Sequence, residues 1–223
     1  LILHTSGTTS RPKLVPLSHA NLAASAAHIG ATLGLAADDR CLTIMPLFHI
    51  HGLLAGLLAP LSAGSKVFCT PGFNALRFFK WMDEAHPTWY TAVPTMHLAI
   101  ASRGKHNAEV LARHPLRFVR SSSSAMPPQL IGQLEAMFKA PLIESYGMTE
   151  SAHQMASNPL PPLQRKPGSV GRAAGPEIAI RTALGAKRES AATGAKRESA
   201  ATGAGRVGAR PLAAITERIE QLE

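Results

Sequence analysis

A segment near the start of the chain, Thr5–Lys13 (TSGTTSRPK), combines hydroxyl side chains with one glycine and two cations. Hydroxyl donors and positive charges of this kind bind polyphosphates. Gly7 and Lys13 have the sequence spacing of a Walker A motif. However, Pro12 and Leu14 occupy the positions of its second glycine and its magnesium-binding hydroxyl residue. The segment therefore predicts a phosphate-binding loop of another type; the alternative is a polar surface turn.

A second segment, Pro46–Gly52 (PLFHIHG), carries His49 and His51 in alternation. Both are potential metal ligands, yet alternate side chains of an extended segment point in opposite directions, and no third ligand lies nearby in the sequence. The pattern therefore favours packing or contact with a substrate over a metal site.

Two further segments carry small or polar side chains. The run Ser121–Ala125 (SSSSA) lets a flat ligand approach the backbone, and it lacks the G-x-S-x-G turn that a serine nucleophile requires. The segment Ser145–Glu150 (SYGMTE) offers an aromatic ring to a base, a hydroxyl to a phosphate and a carboxylate to Mg²⁺. The alternative is a helix N-terminus, where the helix dipole favours Thr149 and Glu150 in the first turn.

Strands and helices alternate around these segments. The predicted strands are Leu1–His4, Cys41–Met45, Lys66–Cys69, Trp89–Ala92, Arg117–Ser121 and Leu142–Glu144. The predicted helices are Ser18–Leu33, Gly52–Ala63, Ala75–His86, Pro94–Ser102 and Pro127–Phe138. Ser18 is the expected N-cap of the first helix, and Pro87 ends the third. The alternation predicts an α/β fold of layered βαβ units, with a mostly parallel sheet covered on both faces and ligands at the carboxyl ends of its strands.

The composition excludes several classes of protein. With 223 residues, 45% hydrophobic and 17% charged, the chain suits one sizeable core rather than a disordered polypeptide. Its net charge of +9 is compatible with small anions, whereas its aromatic residues do not interleave with basic ones as a nucleic-acid groove requires, so we expect no nucleic-acid partner. The longest apolar stretch, Gly52–Ala63, is shorter than the roughly 20 residues of a membrane span.

The two ends of the chain differ in character from its middle. Leu1 opens a predicted buried strand, so we expect an upstream part to be missing. Near the other end AKRESAATG occurs twice in succession, at 186–194 and 195–203, a composition typical of a flexible linker. We expect a globular domain over 1–181, a low-complexity linker over 182–210, and a short amphipathic helix over 211–223, the last two forming a flexible tail.

The four polar segments resemble, in order and approximate spacing, those of the adenylate-forming enzymes: acyl-CoA synthetases, luciferases and the adenylation domains of peptide synthetases. Thr5–Lys13 resembles the phosphate-binding signature of that superfamily, and Ser145–Glu150 resembles its Y-G-x-T-E signature. Lys166–Gly171 (KPGSVG) is similar to its glycine motif. The resemblance covers about residues 1–181 and implies that they form part of the large AMP-binding domain.

Four stretches are most similar to oxalate–CoA ligases. They are TSGTTSRPK at 5–13, PLFHIHGLLAGLL at 46–58, TWYTAVPTMH at 88–97 and MTESAHQMASNPLP at 148–161. Ser10, in place of the usual glycine, belongs to the pattern of that subgroup. The resemblance implies an ATP-dependent acid–CoA ligase for a small dicarboxylate such as oxalate, with ATP, Mg²⁺ and coenzyme A as the other reactants and cofactors.

The resemblance also assigns roles to single residues. It implies that the β- and γ-phosphates of ATP are held by Thr5, Ser6, Gly7, Thr8, Thr9 and Lys13. The residues implied to surround the adenine and the rest of the nucleotide are Ser123, Ser124, Ala125, Ser145, Tyr146, Gly147 and Met148, with the Tyr146 ring stacked on the base. Thr149 would bind the α-phosphate, Glu150 would hold Mg²⁺, and His49 would lie beside the attacking carboxylate, so these three are the catalytic candidates.

The sequence departs from the superfamily in several respects. Leu14 stands where most relatives have glycine, and the ribose-binding Asp motif, the hinge and the small domain with its catalytic lysine have no counterpart. We therefore expect a central piece of a ligase that is inactive alone; the alternative is a non-catalytic remnant that binds nucleotide or a partner protein. Two cysteines and no visible targeting signal predict a cytoplasmic protein, or a peroxisomal one if the true C-terminus is missing. The oligomeric state stays open.

Three histidines, His49, His51 and His153, form the predicted acyl-substrate site. If a helix begins at Thr149, His153 shares a face with Thr149 and Glu150. A short dicarboxylate leaves one carboxylate unreacted, and imidazoles, as neutral donors or as cations, are suitable partners for it. The alternative is that His51 and His153 pack or face solvent.

Overall fold

The computed structural model of the chain describes residues 1–5, 12–181 and 187–188. The chain divides into two compact units, Leu1–Gly175 and Pro176–Glu223. The strands of the first unit are β1 (Ile2–Thr5), β2 (Lys13–Pro16), β3 (Arg40–Thr43), β4 (Lys66–Cys69), β5 (Trp89–Ala92), β6 (Phe118–Ser121), β7 (Leu142–Met148), β8 (His153–Ser157) and β9 (Arg172–Ala173). Its α-helices are α1 (His19–Thr32), α2 (Ile50–Leu53), α3 (Ala59–Ser62), α4 (Phe78–Ala85), α5 (Pro94–Ala101), α6 (Ala108–Arg113) and α7 (Pro128–Phe138). Leu54–Leu58 form a π-helical turn between α2 and α3, and 3₁₀ turns cover Gly104–Asn107 and Thr149–Ser151.

One seven-stranded sheet has the order β4-β3-β5-β6-β7-β8-β9. The pairings from β4 to β7 are parallel, whereas β8 pairs antiparallel with both β7 and β9. Parallel neighbours need a crossover connection, and helices supply it here, because a tight turn cannot join two strands that run in the same direction. The predicted α/β fold with a mostly parallel sheet is confirmed.

Successive residues of the central strands pack on opposite faces of the sheet. One buried cluster contains Leu42, Tyr90, Val119 and Leu142 together with residues of α4, α5 and α7. The other contains their sequence neighbours Cys41, Trp89, Phe118 and Ile143 together with residues of α1, α2 and α3. Because neighbouring side chains of a strand point to opposite faces, this alternation shows that both faces are covered. Each fully buried side chain of this size contributes about 1.5–3 kcal/mol to stability.

The start of α1 and the end of α4 lie where the sequence predicts them. Ser18 Oγ accepts from the backbone N–H of Asn21 at 3.1 Å, and the Asn21 side chain accepts from the Ser18 N–H at 2.9 Å. This reciprocal pair satisfies two N–H groups at the start of α1, as the N-cap prediction requires. At the end of α4, His86 is left-handed with φ 49°, and Pro87 follows it.

The first predicted strand is neither buried nor part of the parallel sheet. β1 pairs antiparallel with β2, with Thr5 opposite Lys13. Leu1 and Ile2 are 45% and 66% exposed, while Leu3 packs on the cluster beneath. A ribbon covered on one face buries only alternate side chains, so an apolar run of three does not imply burial. The expectation of a buried first strand is wrong, and the two described ends of the predicted phosphate loop, Thr5 and Lys13, pair with each other.

The conditional helix from Thr149 is not formed. Thr149–Ser151 make a single 3₁₀ turn that ends at Ala152 with φ 52°, and His153, with φ 91°, begins β8. β8 folds back on β7, and β7 runs on to Met148 instead of ending at Glu144. The helical prediction is wrong because this segment satisfies its backbone groups in a ladder with β7.

In the second unit the described elements are two short strands, β10 (Ile180–Arg181) and β11 (Lys187–Arg188), which pair antiparallel. Most of the predicted linker and all of the predicted terminal helix lie outside the described residues, so this division of the chain stays a prediction. None of the helices that the structure describes combines the length and apolarity needed to cross a bilayer.

Candidate active site

The loop that follows β6 lies beside the C-terminal half of β7 at the carboxyl edge of the sheet. The two strands are parallel neighbours, with Ser121 opposite Glu144. Ser122 Oγ donates to the Ser145 carbonyl at 3.1 Å, and Ser145 Oγ donates to the Ser121 carbonyl at 3.2 Å. All three serines are buried. These bonds fix the loop with the four serines against the Y-G-x-T-E segment.

The side chains assigned to adenine lie on the accessible side of these loops. Ser123–Ala125 are exposed. Along β7, Tyr146 and Met148 are 47% and 40% exposed, whereas Ser145 is buried. A half-exposed aromatic ring at the end of a strand offers a flat apolar face to a base. The fold therefore brings the two groups of adenine candidates to one edge of the sheet.

Gly147 marks the tightest backbone approach at this edge. A Cβ atom added there would lie 1.6 Å from the His153 carbonyl oxygen. The register of β7 and β8 also shifts between Tyr146 and Gly147, which is a β-bulge. Bulges re-aim the side chains beside them. Only glycine allows β8 to pass this close to the backbone of residue 147.

Thr149 and Glu150 are partly exposed in the turn after β7. Among the described residues Glu150 takes part in no ion pair, and no group of three or more His, Cys, Asp or Glu side chains comes together. A single free carboxylate is a poor site for a resident metal but fits Mg²⁺, which binds to one or two carboxylates, substrate phosphates and water. The residues therefore fit Mg²⁺ carried with a nucleotide.

The glycine motif lies against the same strand. The Gly168 N–H donates to Glu144 Oε2 at 2.9 Å. The pKa of the Glu144 carboxyl is raised overall, because the effect of burial exceeds the opposing effect of this bond. Asn158 donates to the Ser169 carbonyl at 2.7 Å and accepts from the Lys166 N–H at 3.0 Å. Lys166–Gly171 is thus attached to β7 and to the segment after β8.

The predicted phosphate loop is described only at its two ends. Thr5 and Lys13 lie opposite each other in the hairpin, and Lys13 is exposed. Ser6, Gly7, Thr8 and Thr9 lie outside the described residues. Leu14, where most relatives have glycine, is 63% exposed on β2.

His49 and His51 occupy different environments, but the segment is not extended as predicted, because α2 begins at Ile50 and includes His51. His49 is exposed at the N-terminus of α2, with its ring 4.6 Å from that of Phe48. His51 is buried, and its Nδ1 lies 3.0 Å from Ser123 Oγ. Its Nε2 lies 2.7 Å from Thr91 Oγ1. His51 therefore connects the interior of the sheet to the adenine-candidate loop.

His153 is also buried, and its ring stacks on that of His51 with centroids 4.9 Å apart and an angle of 19° between the planes. The two histidines predicted to contact substrate therefore meet, although the helical argument for His153 is wrong. β8, rather than a helix, positions His153. His49 is not part of this pair.

Sequence reasoning missed Arg120, the buried centre of this cluster. Arg120 is 0% exposed, and its guanidinium donates to His51 Nε2 at 3.3 Å and to His153 Nε2 at 3.2 Å. It also donates to Thr91 Oγ1 and to Gln154 Oε1, each at 3.3 Å. A signal was present in the sequence, because the strands of a doubly covered parallel sheet are nearly all apolar and an arginine inside one is unusual.

Burial controls the charge of this cluster. Burial lowers the pKa of His51 well below its usual value, and His153 and Arg120 lower it further. Burial also lowers the pKa of His153, and the charge of Arg120 lowers it further. The pKa of Arg120 falls to about 9, again through burial, so Arg120 remains charged at neutral pH. These shifts favour the neutral-donor form of the imidazoles, which is one of the two forms that the sequence left open.

A parallel sheet with a Y-G-x-T-E segment, a serine loop and a glycine motif at one strand edge defines the large-domain core of an adenylate-forming enzyme. The family described as AMP-binding enzyme matches residues 1–194, and the chain belongs to this family.

Several similar proteins are acid–CoA ligases. The probable CoA ligase CCL9 of Humulus lupulus is 50% identical over 184 residues, which cover 81% of this chain and 35% of that protein. The oxalate–CoA ligase of Arabidopsis thaliana is 48% identical over 193 residues, covering 85% of this chain and 37% of that protein. The crystal structure of ATP-bound MatB from Rhodopseudomonas palustris has a TM-score of 0.73 and 30% identity, covering 84% of this chain and 36% of that one. The chain thus spans about a third of the length of these relatives.

Proposed function

We propose that this chain carries the ATP- and carboxylate-binding part of an ATP-dependent acid–CoA ligase that acts on a small dicarboxylate such as oxalate. The observation that carries the proposal is the contact of His51 with Ser123, which joins a buried polar cluster to the loop assigned to adenine. The 48% identity to the Arabidopsis oxalate–CoA ligase supports the same substrate class.

In the first half-reaction a carboxylate oxygen attacks the α-phosphorus of ATP, the bond to the β-phosphate breaks and pyrophosphate leaves. Tyr146 stacks on the adenine, Thr149 donates its hydroxyl to the α-phosphate, and the phosphate loop at 5–13 holds the β- and γ-phosphates. Glu150 holds Mg²⁺, which when bound neutralises phosphate charge. Catalysis of this type consists mainly of positioning and charge neutralisation.

In the second half-reaction the thiol sulfur of coenzyme A attacks the acyl carbon, its proton is lost and AMP leaves. The names of the relatives as CoA ligases support this step. We assign no residue of the chain to coenzyme A.

The polar character of the cluster supports a short dicarboxylate over a fatty acid. A carboxylate that does not react must be buried with hydrogen-bond partners, since an unpaired buried charge is prohibitively costly. Imidazole and hydroxyl groups supply such partners, whereas a fatty-acyl tunnel requires an apolar lining. His153 is the proposed direct partner, and His51 acts through Ser123, whose hydroxyl hydrogen it leaves available. His49 lies nearer the reacting carboxylate.

The test is ATP–pyrophosphate exchange by a full-length protein in which residues 1–181 replace the matched segment of the Arabidopsis oxalate–CoA ligase. We expect exchange that depends on oxalate and is much weaker with acetate. Folded protein that binds ATP but exchanges with neither acid would instead support the alternative, a nucleotide-binding remnant. The 223-residue chain serves as the comparison, and we expect little exchange from it.

A further inference from the structure

Arg120 is a buried cation without a carboxylate partner in the described part of the chain. Its four hydrogen-bond partners are two imidazoles, one hydroxyl and one amide oxygen, and its buried Nε has no partner there. Moving a charge from water into a protein interior costs several kcal/mol. A residue with a purely structural role could hold β6 to β8 without this charge.

The hydrogen-bond directions around Arg120 follow from its chemistry. A guanidinium group can only donate, so the Nε2 atoms of His51 and His153 must accept. In a neutral imidazole the other nitrogen then carries the hydrogen, so both rings are Nδ1–H tautomers. Thr91 Oγ1 accepts from Arg120 and lies 2.7 Å from His51 Nε2, so its hydroxyl hydrogen and Arg120 share the single lone pair of that nitrogen in a three-centre bond.

The outer nitrogens of the two rings have different roles. His51 Nδ1–H donates to Ser123 Oγ, so the hydroxyl hydrogen of the exposed Ser123 is left for another acceptor. Ser123 adopts φ 75°, a conformation that is costly for a residue other than glycine. Within the described residues His153 Nδ1–H has no acceptor, so it is a second donor left for a ligand.

We propose that Arg120 is a positioning residue that holds His51 and His153 as neutral Nδ1–H tautomers and places a permanent positive charge behind them, which makes the site selective for the second carboxylate of a dicarboxylate. The identity of this anion rests on the proposed function. The tautomer of the two rings does not, because it follows from the contacts of Arg120 alone.

The other titratable groups around the rings do not supply this charge. His97, whose Nε2 lies 3.2 Å from the Arg120 carbonyl, has a pKa lowered by burial to about 4. On β3, burial raises the pKa of the Cys41 thiol to about 12. Both are therefore neutral at pH 7, and His49 lies on the exposed side of the loop.

The test is long-range ¹H–¹⁵N NMR of the histidine rings in the 223-residue chain between about pH 5 and pH 8, the range in which ordinary histidines titrate. His51→Gln and His153→Gln assign the two ring systems. We expect both rings to show protonated Nδ1 and unprotonated Nε2 at every pH. An Nε2–H tautomer in either ring, or titration of either ring within this range, would overturn the proposal.

Variants of Arg120 separate positioning from packing. Arg120→Met removes the donors, so we expect the Nδ1 and Nε2 shifts of both rings to move toward each other as tautomers mix. Arg120→Lys keeps a charge and three donors and should restore most of the wild-type pattern. Unchanged rings in Arg120→Met contradict the proposal. If that variant does not fold, the wild-type tautomers and Arg120→Lys still decide the question.

The anion is tested on the same signals with sodium oxalate and sodium acetate. We expect oxalate to shift His153 Nδ1 and acetate to have little effect, with the oxalate response lost in Arg120→Met. Equal responses to both salts would refute the dicarboxylate part and leave the tautomer result standing. Failure of the proposed function is recognised separately, as the absence of ATP-dependent exchange.

Discussion

The rings of His51 and His153 stack with centroids 4.9 Å apart, although one follows β3 and the other begins β8. Two strand-end segments from distant parts of the chain therefore meet behind the serine loop. This contact links the predicted acyl-binding residues to the predicted nucleotide-binding edge.

Replacing either histidine should impair dicarboxylate use selectively. In the full-length hybrid protein, His51→Leu and His153→Leu should each lose about 2 kcal/mol of transition-state stabilisation with oxalate, roughly thirtyfold in rate. The unreacted carboxylate loses the His153 donor in one variant and the Ser123 hydroxyl that His51 orients in the other. Initial rates with oxalate and with a medium-chain monocarboxylate measure the effect, and His106→Leu on the exposed surface is the control. Equal losses with both acids, or no loss, would show that the rings do not contact substrate.

Tyr146→Ala should weaken ATP binding without unfolding the protein. The lost contact between base and aromatic ring is worth about 1–3 kcal/mol, and the ring is half exposed, so its removal leaves little cavity. Calorimetric titration of the 223-residue chain with MgATP gives the change in Kd. Tyr146→Phe retains the ring and should bind normally; equal Kd values for the Ala and Phe variants would argue against stacking.

Gly147→Ala should destabilise the chain strongly. The added methyl would lie 1.6 Å from the His153 carbonyl, so β8 must move away from β7, and we expect a loss of at least about 1–3 kcal/mol. Gly132→Ala in α7 is the matched control, since a Cβ there meets nothing within 4 Å, and it should be neutral or stabilising by about 0.5–1 kcal/mol. Urea unfolding measures both. A Gly147→Ala protein as stable as the control would contradict the close strand approach.

Stability should fall as the pH drops below about 6.5, the ordinary pKa of histidine. The folded-state pKa values of His51, His153 and His97 are lowered, so the unfolded chain binds protons that the folded chain does not. Each such histidine lowers the free energy of unfolding by about 1.4 kcal/mol per pH unit below that point, until the pH reaches its folded-state pKa.

Urea unfolding at pH 7 and at pH 5.5 measures this slope. His153→Gln removes one of the buried rings and should make the slope shallower, whereas His106→Gln, at an exposed position, should leave it unchanged. A free energy of unfolding that does not change over this interval would mean that the buried rings take up protons in the folded chain.

Much of the fold was predictable because local pattern and global position agree. The strands Cys41–Met45, Trp89–Ala92 and Arg117–Ser121 carry apolar side chains for both covered faces, and this pattern indicates a buried parallel sheet. Leu1–Leu3 looks the same in sequence, but its partner is β2 alone, and only the tertiary fold determines how many faces are covered.

The site was predictable in part for a similar reason. Residue type and spacing locate Ser145–Glu150 and the histidine loop, yet neither reveals that β8 returns antiparallel along β7. The meeting of His153 with His51 depends on that return and on the glycine at 147. Arg120 escaped notice because a single cation in a short strand is usually exposed, and the side chains that it binds in the buried cluster are distant in sequence.

We propose that the carboxyl edge of the sheet binds both the adenylate and the free carboxylate of a short dicarboxylate. The most direct measurement is calorimetric titration of the 223-residue chain with 5′-O-(N-oxalylsulfamoyl)adenosine, a stable mimic of oxalyl-adenylate, beside the corresponding acetyl compound and AMP. We expect the oxalyl compound to bind at least about tenfold more tightly than the acetyl compound, a difference of about 1.4 kcal/mol, and more tightly than AMP. Equal affinity for the two acyl compounds, or no binding of any of the three by folded chain, would contradict it.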